Sequence, residues 1–174
     1  MALNGKSPSI VHIATHGFYY TPDEAKDKDF LSGYTDAMSL SGLVFAGGNA
    51  AWLGKKNVDG VLGGVLTAKD IANLDFKGTD LLVLSACKTG QGKVTAEGVF
   101  GLQRAFKKAG VGTIIMSLWN VDDKVTSEFM VAFYEQLTDK ANNWNKRKAF
   151  EQTKEIIRKK HPDPYYWAAF VMLD

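Results

Sequence analysis

Two phrases of this 174-residue chain end in side chains able to do chemistry. Ile10-Val11-His12-Ile13-Ala14-Thr15 runs into His16-Gly17, and Leu81-Leu82-Val83-Leu84-Ser85-Ala86 runs into Cys87, the single cysteine of the chain. A free thiol is a poor nucleophile at neutral pH until a neighbouring base takes its proton or stabilises the thiolate. Two apolar strands that run parallel and stop at one sheet edge would set an imidazole beside a thiol. Gly17 has no Cβ, so a carbonyl oxygen can approach its backbone N–H. That amide and the amide of Cys87 could form an oxyanion hole. Ala86 is small and keeps the approach to Cys87 open.

Each residue also has a plain structural reading. A strand-end cysteine often serves as a small buried hydrophobe. His12 lies mid-strand and reads as a core or sheet-face residue. His161, between a basic helix end and Pro162, reads as a surface turn residue without a placed partner. One cysteine and three scattered histidines have no metal-ligand spacing, so neither a metal nor a cofactor is expected. Ser85 lacks a Gly-x-Ser-x-Gly elbow, and the glycines near position 90 lack phosphate-loop spacing.

The elements that must position these residues can be read from periodicity. Strands are expected at Ile10–Thr15, Leu81–Ser85, Thr113–Trp119 and Trp167–Leu173. The charge-rich stretch Thr21–Asp29 reads as a solvated loop. Ser39–Asn49 reads as a short strand and turn, and Asp59–Gly64 as a second turn, which together suggest a hairpin insertion. Thr67-Ala68-Lys69-Asp70 has capping-box spacing and opens a short helix. Val99, Leu102, Phe106 and Ala109 fall at helical spacing, with Gly110 as the C-terminal cap. Asp122 or Asp123 can cap a helix whose core face is Thr126, Phe129, Met130, Phe133 and Leu137. A last helix after Asn145 is expected to bury Ala149, Phe150, Thr153, Ile156 and Ile157. Alternation of this kind predicts an α/β fold with a mainly parallel sheet, helices on both faces, and a ligand site at the carboxyl ends of the strands.

Composition sets the frame. The chain is 45% hydrophobic and 23% charged with a formal net charge of +2, an ordinary globular balance without a strongly basic nucleic-acid footprint. The start has no apolar leader segment. The longest apolar stretch, Tyr165–Leu173, is about half the roughly 20 residues that a helical membrane span requires. One cysteine suits a reducing compartment. The expectation is therefore one soluble, cytoplasmic domain over residues 1–174 that binds neither nucleic acid nor membrane.

Five blocks in order resemble the CHAT domain: Ala14-Thr15-His16-Gly17, Leu82–Gly90, Glu97-Gly98-Val99, Ser117–Asp123 and Tyr165–Phe170. The resemblance covers nearly all of Ile10–Leu173. It implies a caspase-like three-layer α/β sandwich, of a kind often joined to tetratricopeptide repeats in bacterial proteins. It also implies a cysteine endopeptidase, latent until a partner or ligand acts. In that reading His16 is general base and acid, and Cys87 is the nucleophile. The amides of Gly17 and Cys87 are the oxyanion donors. Ala86, Ser117, Trp119, Asp122 and Asp123 line the substrate pocket, with Asp122 or Asp123 selecting a basic P1 side chain unless it caps the following helix. Relatives usually carry strands upstream of the His-Gly strand, and only nine residues precede Ile10 here. That departure suggests the carboxyl-terminal part of a larger protein, an uncovered sheet edge and a possible dimer. A non-proteolytic interaction module and an acyl hydrolase on small esters or amides stay open as alternatives.

Overall fold

The computed structural model describes residues 6–26, 31, 34–36, 38–48, 63–85 and 96–174, with 96–100 described as backbone only. The chain divides into two compact units, Met1–Ile114 and Ile115–Asp174. The class is α/β with a mixed, mostly parallel sheet, as expected of a caspase-like fold.

In the first unit, β1 (Ile10–Ile13) pairs in parallel with β5 (Leu81–Leu84), with Ile10 opposite Leu81 and Ile13 opposite Leu84. All four residues of β5 are buried, which explains its unbroken Leu-Leu-Val-Leu run: a strand covered on both faces has no polar side to alternate with. The ladder continues past the strands at both ends. The amides of Asp80 and Leu81 donate to Ser9 O at 2.9 and 3.0 Å, and Ser85 N donates to Ile13 O at 2.9 Å.

The segment between β1 and β5 builds a second, antiparallel sheet. It contains β2 (His16–Tyr19), β3 (Ser41–Val44) and β4 (Val65–Thr67), in that spatial order. This enlarges the expected hairpin to three strands. Phe18, Ala25, Leu31 and Leu40 form its buried cluster, with Tyr20, Val44 and Val65 packed against them. The stretch expected as a loop after Thr21 instead contains α1 (Pro22–Ala25). Thr21 accepts from Glu24 N while the Glu24 carboxylate accepts from Thr21 N, and Pro22 occupies the first turn, where its missing N–H costs nothing. The same box, Thr67 with Asp70, opens α2 (Ala68–Ile71) directly from β4.

After β5, α3 (Ala96–Lys108) buries Leu102, Ala105 and Phe106, and Phe106 meets Phe76 edge to face at 5.8 Å. Its end is a Schellman turn: Val111 N donates to Phe106 O and Gly110 N to Lys107 O, with Gly110 at φ +102°. The chain then enters β6 (Thr113–Ser117), which spans the division between the units.

The second unit continues with α4 (Asp123–Thr138), a 3-10 turn (Lys140–Asn142), α5 (Lys146–Lys160), α6 (Pro164–Trp167) and β7 (Phe170–Leu173). Phe129 is its centre. It stacks on Phe170 at 3.9 Å and meets Phe150 edge to face at 5.8 Å. Three differences from expectation stand out. Ile156 is 42% exposed, because Ala149, Phe150, Thr153 and Ile157 already fill the buried arc of α5. Thr126 is half-buried, and Val125 takes the core position beside Phe129. Also, the expected strand Trp167–Leu173 loses its first three residues: Asp163 caps α6 by accepting from Tyr165 N, and the strand starts at Phe170.

Candidate functional site

β1 stops at Ile13, not Thr15, and His16 opens β2 instead of ending β1. The reason is a change of pairing partner. The Thr15 hydroxyl donates to Val44 O, and from His16 onward the backbone pairs with β3, His16 opposite Val44 and Gly17 opposite Leu43. The chain thus changes sheets between Ile13 and His16. His16 is exposed, whereas Gly17, Phe18 and Tyr19 are buried.

The backbone direction at Gly17 follows from the ladder. Tyr20 N donates to Leu40 O at 2.9 Å. Hydrogen-bonded and non-bonded pairs alternate along an antiparallel ladder, so Gly17 and Leu43 form a non-bonded pair. The Gly17 N–H therefore faces away from β3, on the outer side of a sheet in which β2 is an end strand.

Ala86 and Cys87 lie outside the described residues, and Ser85 is the last described position before them. His12 is exposed, contrary to a core reading, and desolvation by its surroundings lowers its pKa below the ordinary imidazole value. Among the described residues, no group of three His, Cys, Asp or Glu side chains converges as metal ligands.

The remaining candidates belong to the second unit. Ser117 ends β6 and is buried. Leu118 N donates to Ala169 O at 2.9 Å, extending the β6 backbone by one bond. The Trp119 indole N–H donates to Tyr165 O at 2.9 Å, and the Tyr165 hydroxyl donates to Asn120 O at 2.5 Å. Asp122 is the cap of α4: its Oδ1 accepts from Lys124 N at 2.9 Å and Val125 N at 3.3 Å. Asp123 is an exposed residue of the first turn. The two acidic residues, equivalent in the sequence, are therefore separated in role by the cap.

His161 is not a partnerless turn residue. It is half-buried, and its Nε2 lies 2.7 Å from Glu128 Oε2, with Lys160 Nζ at 3.1 Å from the same oxygen. The hydrogen bond from His161, then that from Lys160, holds the Glu128 carboxyl below its ordinary pKa. Tyr165 and Asn120 lie in two of the blocks that carry the resemblance, but the bond between them was not expected. The available signal was Asp163-Pro164-Tyr165-Tyr166: a cap followed by Pro marks a helix start, and the aromatic pair follows at once.

The parallel β1–β5 ladder, the crossover through α3 and the His-Gly position define an α/β protein of the caspase-like class. The CHAT domain model matches residues 1–174, and the chain belongs to that family. CHAT domains are related to cysteine peptidases. The chain is 32% identical over 111 residues to human tetratricopeptide repeat protein 28, and 31% identical over 111 residues to its mouse counterpart. Each match covers 63% of this chain and 4% of the relative's length. Among the described residues, no helix is long and apolar enough to cross a membrane.

Proposed function

We propose that this domain is a cysteine endopeptidase in which His16 and Cys87 act as a dyad, held latent until a partner or ligand acts on the protein. The observation that carries the reading is the register of β1 and β5. Ile13 and Leu84 are the last ladder partners, and His16 and Cys87 are each three residues beyond them. That equal spacing from one ladder pair is what supports taking the two groups together as a dyad. The outward Gly17 amide supports the oxyanion role, and family membership supports the chemistry.

In the proposed reaction His16 takes the thiol proton of Cys87, and the sulfur attacks the carbonyl carbon of the scissile bond. The amides of Gly17 and Cys87 hold the oxyanion. His16 then returns the proton to the leaving amine, and water hydrolyses the thioester. Ala86, Ser117 and Trp119 are assigned to the substrate pocket by likeness. Of the two acidic residues, Asp123 is the one we assign to a basic P1 side chain, because the carboxylate of Asp122 is committed to the α4 cap.

The test is thiol reactivity followed by cleavage. A small electrophile should label Cys87 rapidly in the natural protein, and His16→Ala should slow labelling by at least about tenfold. Peptides with P1 Arg, Lys or Asp then report turnover, with Cys87→Ala as the blank. Cleavage that survives Cys87→Ala, or labelling indifferent to His16→Ala, refutes the dyad.

A second reading has its own support. The curated relatives are named as tetratricopeptide repeat proteins, which favours a domain attached to a repeat scaffold and acting through protein contacts. Slow labelling of Cys87 together with retained partner binding in Cys87→Ala would select it.

A further inference from the structure

The segment between β6 and α4 is fastened at three points, two of them on Tyr165 of α6 and one just after that helix. Leu118 N is bonded to Ala169 O just beyond α6, the Trp119 indole to Tyr165 O, and Asn120 O to the Tyr165 hydroxyl. The two Tyr165 contacts are reciprocal. Its carbonyl accepts from one loop residue, and its hydroxyl donates to the next. The Trp119 and Tyr165 rings lie 6.4 Å apart, and Tyr165 meets Tyr166 edge to face at 5.5 Å. Tyr166 in turn lies 5.4 Å from His161, which bonds to Glu128 on α4. The loop enters α4 through the Asp122 cap. Its middle, Trp119 and Asn120, is thus tied to α6, whose own start is set by Asp163 accepting from Tyr165 N at 2.9 Å, while its ends are held by Ala169 and by α4.

Such a closed brace exceeds what half-exposed side chains need for packing. Tyr165 is 50% exposed, so removing its hydroxyl opens no cavity. What the hydroxyl does is fix the backbone carbonyl of Asn120, and so the path of Leu118–Val121. We propose that Tyr165 is a positioning residue that sets the shape of the Leu118–Val121 loop and, through it, how well the domain binds the P1 side chain of its substrate. The proposal rests on the peptidase reading for the pocket, and on the hydrogen bonds alone for the loop.

The experiment uses the natural protein with Tyr165→Phe, Tyr165→Leu and Trp119→Phe. Tyr165→Phe keeps the ring and loses only the bond to Asn120 O. Amide hydrogen exchange at Leu118–Val121 should quicken about five- to tenfold in Tyr165→Phe, the effect of one lost hydrogen bond, while the amides of α4 and α5 keep their rates. Trp119→Phe should act in the same direction. KM for a P1-Arg peptide should rise about fivefold in Tyr165→Phe with kcat within twofold, because the loop touches binding and not the dyad. Tyr165→Leu, which also removes the ring, should be worse in both readouts, and the difference is the rescue by Phe. Unchanged loop exchange in Tyr165→Phe overturns the positioning role outright. Faster exchange with KM unchanged overturns the link to substrate binding while the peptidase reading stands. Natural protein that cleaves none of the peptides, with or without its activating partner, overturns the peptidase reading and the pocket role with it.

Discussion

Asp122 caps α4, and two pairs of substitutions can separate that structural role from the recognition role proposed for Asp123. Its Oδ1 satisfies two of the otherwise orphan amides at the start of α4, from Lys124 and Val125. Replacing such a cap by alanine costs about 1 kcal/mol. Loss of the negative charge at the positive end of a 16-residue helix adds a few tenths more at an exposed site. Asp122→Ala should therefore destabilise the fold by about 1.5 kcal/mol, a fall in Tm of about 3–6 °C for a chain of this size. Asp122→Asn keeps the accepting oxygen and should lose only about 0.3 kcal/mol. Thermal and urea unfolding measure both. The second half is selectivity. A charge-assisted contact to a P1 guanidinium contributes about 1.5–3 kcal/mol, so its loss should cut the preference for P1 Arg over P1 Asp by tenfold or more. Asp123→Asn should show that cut with little change in Tm, and Asp122→Asn should not. If Asp122→Asn destabilises as much as Asp122→Ala, the cap does not act through its oxygen. If Asp122→Asn and not Asp123→Asn loses the preference for Arg, the division of roles is wrong.

Two further outcomes follow from the second unit. Phe129→Ala removes a fully buried ring that stacks on Phe170 and meets Phe150, and should cost about 4 kcal/mol, seen as a lower urea midpoint; a loss below about 1.5 kcal/mol would mean the site collapses without a cavity. The Glu128 carboxyl is held below its ordinary value of 4.5, so its pairing with His161 and Lys160 stabilises the fold above that pH and is lost as pH falls through the lowered folded value. Glu128→Gln should therefore flatten the decline of Tm below pH 4.5, and identical slopes for the two proteins would refute the linkage.

Much of the fold could be read locally because its signals are local. Thr67-Ala68-Lys69-Asp70 predicts α2 from four residues, and the Schellman turn at Gly110 needs only the end of one amphipathic helix. Thr21-Pro22-Asp23-Glu24 carries the same kind of signal, and the charge density around it masks a helix start that the Pro at the first turn should have exposed. Ile156 fails for a different reason. Helical spacing admits more apolar residues than the buried arc holds, and only the packing partners decide which is left outside. The division of Ile10–Tyr19 into two strands of two sheets was beyond local reading. A continuous β-prone run carries no mark of a change of partner, and the contact that enforces it, Thr15 with Val44, joins residues 29 apart.

That division changes what the His-Gly phrase means chemically. At the end of a parallel strand, His16 would take its orientation from β5, the strand that precedes the thiol. As the first residue of β2 it takes its orientation from β3, opposite Val44, while Ile13 remains locked to Leu84. Ala14 and Thr15 alone join the two ladders. The same change turns the Gly17 amide outward, since a non-bonded position on an end strand leaves its N–H on the side away from the partner. Under the proposed dyad, the base is held by one sheet and the nucleophile follows a strand of the other, so a shift between the sheets should alter their pairing. A hydroxyl at position 15 is what ties the crossing point to β3. Thr15→Val keeps the β-branched shape and removes that tie. If the dyad depends on it, the His16-dependent part of Cys87 labelling should fall in Thr15→Val while the thermal midpoint drops by no more than about 1 kcal/mol equivalent, the net contribution of one hydrogen bond. Undiminished His16-dependent labelling in that variant would mean that the pairing of His16 with β3 holds the imidazole without help from Thr15.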